Sequence, residues 1–147
     1  MYDNPWTYNG SVFESKNIDE YYGFIYRITN TVNNHDYIGR KFFKTIKKRP
    51  PLKGKKNKRR STVETDWKDY YGSSNRLLGD IEKLGQDKFK REIIHLCNTR
   101  GETNYMEIYY QITEHVLLRE NNYNGIISIK LGIGSVKNLL IEDLKNK

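Results

Sequence analysis

Residues 1–20 are polar and aperiodic, and the pattern predicts an arm there, ahead of a single folded domain over 21–147. From Gly23 to Asn30 the chain turns β-branched and aromatic, with Phe24, Tyr26 and Ile28 at every second position, the period of a strand. Asn33-Asn34 is a good turn pair, and Asp36-Tyr37-Ile38-Gly39 begins a second strand. The two strands read as an antiparallel hairpin whose tip lies between Asn30 and Asp36. Before Pro50 and Pro51 there is room for a short helix, which the prolines must stop. Lys53 to Arg60 has no apolar residue and reads as a loop or mobile finger, so a basic insertion is expected over 40–62.

Beyond it, Asp66 to Ser74 is aromatic and turn-rich. Ser73 or Ser74 can cap a helix that runs to Leu84 and stops at Gly85. Phe89 to Cys97 supplies a third strand. Met106, Tyr110, Thr113 and Leu117 recur at helical spacing and predict a helix over 102–117, with Glu107 beside its buried stripe. Asn121 to Gly125 is a turn, 126–131 a short apolar segment, and a last helix capped by Ser135 should carry Leu139, Leu140 and Leu144. The fold class expected is α+β: a small three-stranded antiparallel sheet flanked by helices, with the basic loop inserted.

Charge sharpens this picture. The chain of 147 residues carries 26 Lys and Arg against 18 Asp and Glu, a net of +8, with 36% hydrophobic residues. Arg40 to Arg60 holds 12 of the basic residues and no acid, which leaves the remainder at a net of −4. Such a segment calls for a polyanion. Cys97 is the only cysteine, so an intrachain disulfide and a cysteine-built zinc site are excluded. No apolar run approaches the roughly 20 residues that span a bilayer, and Met1 to Trp6 has neither the basic end nor the apolar stretch of a secretory signal. The expectation is a soluble, cytoplasmic protein without membrane partners.

Gly23-Phe24-Ile25-Tyr26 precedes Tyr37-Ile38-Gly39, and the two tyrosines stand eleven positions apart. This pair of motifs resembles the hallmark of the GIY-YIG nucleases, with one extra residue, Phe24, in the first triplet. Glu107, with Asn104 nearby, matches the family's metal-binding glutamate, and Tyr123-Asn124 its terminal tyrosine-asparagine motif. Asp66 to Ser74 is similar to a stretch of the free-standing phage homing-type members. The resemblance covers Gly23 to Asn124. It implies a metal-dependent endonuclease that hydrolyses phosphodiester bonds in double-stranded DNA with Mg²⁺ or Mn²⁺, as monomer or dimer on DNA, in the host cytoplasm if phage-encoded. Where the family places its catalytic arginine, on a helix after the second tyrosine, this chain has Lys47; Arg40 and Lys41 are rival candidates.

The implied roles follow phosphodiester chemistry, which needs a nucleophilic water, a proton acceptor and neutralised charge in the transition state. Glu107 would be the protein ligand of one metal ion that otherwise keeps waters. Tyr26 would act as base only where cations or metal-bound water favour its phenolate; the basic segment is expected to supply them. Tyr37 would orient the water, and Asn124, a good turn residue in any case, would complete the catalytic set. Lys44, Lys48, Arg49, Lys53, Lys55, Lys56, Lys58, Arg59 and Arg60 are the expected DNA contacts, to phosphates rather than bases. Ser73 and Ser74 read as caps, Trp67, Tyr70 and Tyr71 as a packing cluster, and His35, His95 and His115 as structural or solvated. The alternatives are a catalytically weak nucleic-acid-binding protein on the same fold, a restriction-type nuclease, or a basic RNA-associated module.

Overall fold

A computed structural model describes residues 1–128, 130–137 and 139–145. In chain order the elements are β1 (Thr7–Tyr8), β2 (Ser11–Val12), β3 (Gly23–Asn30), β4 (Asp36–Phe42), β5 (Lys44–Arg49), β6 (Arg59–Glu64), α1 (Asn75–Leu84), β7 (Phe89–Cys97), α2 (Arg100–Thr113) and α3 (Ile141–Lys145). The fold is α+β. Its main sheet is not the expected three-stranded antiparallel one: it has five strands in the order β2-β1-β7-β3-β4, and β1 runs parallel to β7.

The correction begins at the N-terminus. Residues 1–20 are not a loose arm, because Trp6, Phe13 and Ile18 are buried in the core. Their spacing has no strand or helix period, since left-handed Asn4, Asn9, Gly10 and Asp19 turn the chain between them. Arg91, almost wholly buried, holds this segment down: its guanidinium donates to the Asn4 and Tyr70 carbonyls and stacks over the rings of Trp6 and Tyr71.

β3 is buried along most of its length and divides the core by parity. Phe24, Tyr26 and Ile28 face Trp6, Trp67, Leu77 and Ile81, while Ile25 faces Ile38, Cys97 and Met106 on the side of α2. The predicted hairpin is observed, with Tyr26 opposite Gly39 and Ile28 opposite Tyr37. A bulge inserts Ile94 of β7 between the partners of Ile25 and Tyr26. The cap at Ser74 is also as expected: its hydroxyl accepts from the Leu77 N–H, and Gly85 ends α1 at φ 93. α2 ends at Thr113 rather than Leu117, so Thr113 and Leu117 lie exposed, and the turn after it brings Val116 into the core instead. The last helix is short, Ile141–Lys145, preceded by a 3-10 turn at Ile133–Ser135.

The basic insertion is neither helix nor loop. β5 and β6 pair antiparallel from Lys44 opposite Glu64 to Arg49 opposite Arg59, forming a separate two-stranded hairpin. Apolar alternation gave no warning because neither of its faces is buried in the domain. No helix among the described residues is long and apolar enough to cross a membrane.

Candidate active site

The strand register sets the site. On one face of β3 and β4, Tyr26, Gly39, Tyr37 and Lys41 share a side; on the other, Ile38 and Arg40 look toward α2. The Tyr26 and Tyr37 rings lie 6.1 Å apart between centroids. Gly39 is required here: a Cβ would come within 2.5 Å of the Tyr26 hydroxyl. Gly72, at φ 89, brings its backbone against the same two tyrosines. The segment it belongs to closes the group, for the Tyr70 ring packs edge-on against that of Tyr26, 6.0 Å between centroids, and the Ser73 hydroxyl lies 3.3 Å from that of Tyr37.

Both tyrosines are harder to ionise than a free one. Burial, then the Tyr70 and Tyr37 groups, raises Tyr26 well above its ordinary value, and burial outweighs the Ser73 hydrogen bond at Tyr37. The basic segment, expected to favour a Tyr26 phenolate, forms a separate hairpin from Lys44 onward, and at Tyr37 the Arg40 charge pulls against the upward shift. Glu107 contributes to the upward shift of both tyrosines, which places it within electrostatic reach of them.

Glu107 itself stands on α2 against β4. Its Oε1 lies 3.3 Å from Arg40 Nε. The pair is close but out of line for a hydrogen bond, so the buried Nε is left without one. Burial raises the Glu107 carboxyl above the usual range, against the pull of the Arg40 charge and backbone N–H. A cleft of about 500 Å³ lies at the end of β4, lined by Arg40, Lys41, Lys44, Asp66 and Tyr70 among others. Lys41 reaches Asp66 at 2.7 Å and sits over the Tyr70 ring at 4.2 Å. The cleft thus presents cations beside the Tyr70 ring, which packs against Tyr26. A second cleft, about 750 Å³, lies between the start of α2 and residues 134–137 with Leu139, away from the hairpin tyrosines.

Of the three candidates for the arginine position, Arg40 is the one paired with Glu107; Lys41 lies in the cleft, and Lys47 lies exposed on β5, a strand where a helix was expected. Asn124 does not point into the cleft. Its amide accepts from the Ile38 N–H at 2.9 Å and donates to the Ile38 carbonyl at 2.8 Å, and Gln111 donates to the same carbonyl. β4 is an edge strand, and Asn124 satisfies the backbone groups that an edge leaves open. It fixes the residue between Tyr37 and Gly39. Tyr70, Gly72, Ser73 and Gln111 were missed as site residues; the aromatic stretch 66–74 was the available signal, but its residue types equally suit packing. Lys44 lines the cleft, and the remaining expected DNA contacts lie along the hairpin or its tip.

Asn124→Ala leaves the buried Ile38 N–H unpaired, which costs roughly 1–3 kcal/mol. Urea unfolding is expected to show that loss, and cleavage per folded molecule should fall with it as Tyr37 loses its register.

A sheet-edge hairpin carries the paired tyrosines on one face and, on the other, an arginine met by the Glu107 carboxylate of α2. These are the residues the GIY-YIG resemblance singled out. The chain belongs to that family: the family model described as "Putative endonuclease segE, GIY-YIG domain" matches residues 6–127. Neither the curated proteins nor the solved structures searched gave a match.

The donors fit a hard divalent ion. Glu107 offers a carboxylate largely shielded from water, whose raised pKa marks a buried charge compensated in part by Arg40 alone among the described salt bridges, and a site of this kind completes its shell with waters and phosphate oxygens. Another set, His95, Cys97 and Glu102, has ligand atoms within 4.8 Å of one another, all buried. There Glu102 Oε2 accepts the Asn98 N–H at the start of α2, and His95 Nδ1 lies 3.0 Å from the Tyr110 hydroxyl. These contacts read as internal polar packing.

Proposed function

We propose that this protein is a metal-dependent DNA endonuclease of the free-standing homing type, hydrolysing phosphodiester bonds in double-stranded DNA. The observation that carries the reading is that Arg40, paired with Glu107, lines a cationic cleft together with Lys41, Lys44 and Tyr70. Glu107 would hold Mg²⁺ or Mn²⁺, which supplies Lewis-acid stabilisation of the leaving oxygen. Lys41 and Lys44 draw the phosphate into the cleft, and Arg40 faces its developing charge. Tyr37, half-buried, orients the attacking water through a neutral hydroxyl. Tyr26 and Tyr70 pack behind it, and Asn124 keeps Tyr37 in place.

Supercoiled plasmid incubated with the protein in Mg²⁺, and in parallel with EDTA, tests this directly. Nicking that EDTA abolishes supports the reading. Tight binding without nicking would favour the weakly catalytic DNA-binding alternative, which the raised tyrosine and glutamate pKa values also fit. One active site cuts one strand per visit, so a double-strand break would require a dimer or sequential nicking; a restriction-type role would differ in producing fixed double-strand ends.

The tip and β6 cations extend the phosphate-binding surface. Replacing Lys53, Lys55, Lys56, Lys58 and Arg59 by Ser is expected to flatten the dependence of log affinity on log salt by up to ~4.5, about 0.9 for each phosphate no longer neutralised. Affinity titrated against KCl reads this out, and an unchanged slope would show that the segment never meets the backbone.

A further inference from the structure

The two-stranded hairpin does more than carry charge. Its strands are six residues each, about 20 Å long at ~3.4 Å per residue. The base is tied to the domain: Thr65 donates from its N–H and its hydroxyl to the Phe43 and Phe42 carbonyls, and Glu64 accepts from Ser15 and Trp67. Beyond that base, the strands are largely solvent-exposed, and an isolated two-stranded hairpin is marginal in water. Among the described salt bridges, none involves a cation from Lys47 to Arg60.

The register separates the two faces. One carries Thr45 opposite Val63, Lys47 opposite Ser61 and Arg49 opposite Arg59; there Ser61 and Val63 are half-buried. The other carries Ile46 opposite Thr62, then Lys48 opposite Arg60, and all four are exposed, Ile46 by 57%. An exposed isoleucine at the centre of a cationic ribbon serves no core. Its partner offers a hydroxyl, and the cations stand beyond the pair toward the tip.

We propose that β5 and β6 enter the major groove of duplex DNA as a reading ribbon, with Ile46 and Thr62 against base edges and Lys48 and Arg60 on the flanking phosphates. The proposal rests on the DNA-endonuclease reading above and names how that enzyme would recognise its substrate. Dimensions select the groove. A ribbon about 10 Å across, two strands ~4.8 Å apart with their flanks, enters a groove ~12 Å wide but not the minor groove of ~6 Å. Chemistry selects the contact: an aliphatic side chain beside a hydroxyl suits the C5-methyl of thymine and the neighbouring acceptor, which the major groove alone displays together.

The test begins with duplexes selected for binding to the full chain in EDTA. The thymines in the protected region are then replaced by uracil, which removes the methyl and nothing else. Affinity is expected to fall roughly fourfold for each thymine methyl that the ribbon touches, the worth of one buried methyl group. Ile46→Ala with Thr62→Ala should erase the thymine–uracil difference while keeping the salt slope. Lys48→Ser with Arg60→Ser should do the reverse, flattening the slope by up to ~1.8 and keeping the discrimination. A selected site without thymine, equal affinity for both duplexes, or displacement by a minor-groove ligand would each overturn the proposal. The uracil comparison uses the unaltered protein, so a variant that fails to fold does not decide the matter. Failure of the endonuclease reading looks different: thymine discrimination would persist in a protein that nicks no plasmid in Mg²⁺.

Discussion

Glu107→Gln is expected to reduce Mg²⁺-dependent cleavage by roughly 10³-fold, at the upper end of what one electrostatic group in an active site supplies, while thermal stability at neutral pH holds or rises. The two halves of that result come from one fact. Glu107 is a largely buried carboxylate whose pKa is raised by desolvation despite the Arg40 charge beside it. A carboxyl with a folded pKa above its unfolded value is ionised at a cost in the native state. The cost is absent below the unfolded pKa, grows as pH rises through the window between the two values, and is complete above the folded one. Removing the charge removes that cost at pH 7, so stability and function are opposed at this residue, as they often are in active sites. Thermal melts at pH 4 and pH 7 beside a plasmid-nicking assay check both halves. A variant that cleaves at the parental rate would sink the metal assignment. One that melts well below the parent at pH 7 would make Glu107 a structural partner of Arg40 first.

Local pattern and tertiary context divided the sequence unevenly. The hairpin of β3 and β4, the strand at Phe89–Cys97 and the Ser74 cap were legible because each rests on a rule confined to a few neighbouring residues. Trp6, Phe13 and Ile18 were not, since they are buried against residues far away in the chain: Arg91 pins the Asn4 carbonyl and covers the Trp6 ring, and Phe13 stacks on Phe43. The basic hairpin was read as helix and loop because propensity rules expect a strand to hide one face, and this one buries no residue fully. At the site, the paired spacing picked out Tyr26 and Tyr37, but spacing carries no information on which cation meets Glu107. That depends on strand parity, which turns Arg40 toward α2 and Lys41 toward Tyr70. Asn124 was named for its motif; only the unpaired edge of β4 explains why an asparagine side chain, with a donor and an acceptor on one amide, suits that position.

Tyr37→Phe is expected to slow cleavage by roughly 10²-fold, the lower range for a group that manages a proton in the transition state, and Tyr26→Phe by a similar factor. Phe keeps each ring, so the aromatic packing around Tyr26 and the approach of Gly39 and Gly72 survive. What disappears is a hydroxyl. The pH profile separates its two possible roles. Burial raises both tyrosines above the ordinary phenol value, so between pH 7 and 9 each stays protonated and donates or accepts a hydrogen bond as a neutral group. A neutral hydroxyl gives the parent and both variants the same pH dependence, displaced in rate but parallel. A phenolate base would instead give the parent a rate rising with pH that the variants lack. Single-turnover cleavage of an end-labelled duplex across that range decides it. Parallel curves support the neutral role, and a slope lost on removing either hydroxyl would return the proton to that tyrosine. Parental rates in both variants would make the pair core residues and move the chemistry to the Arg40 side of β4.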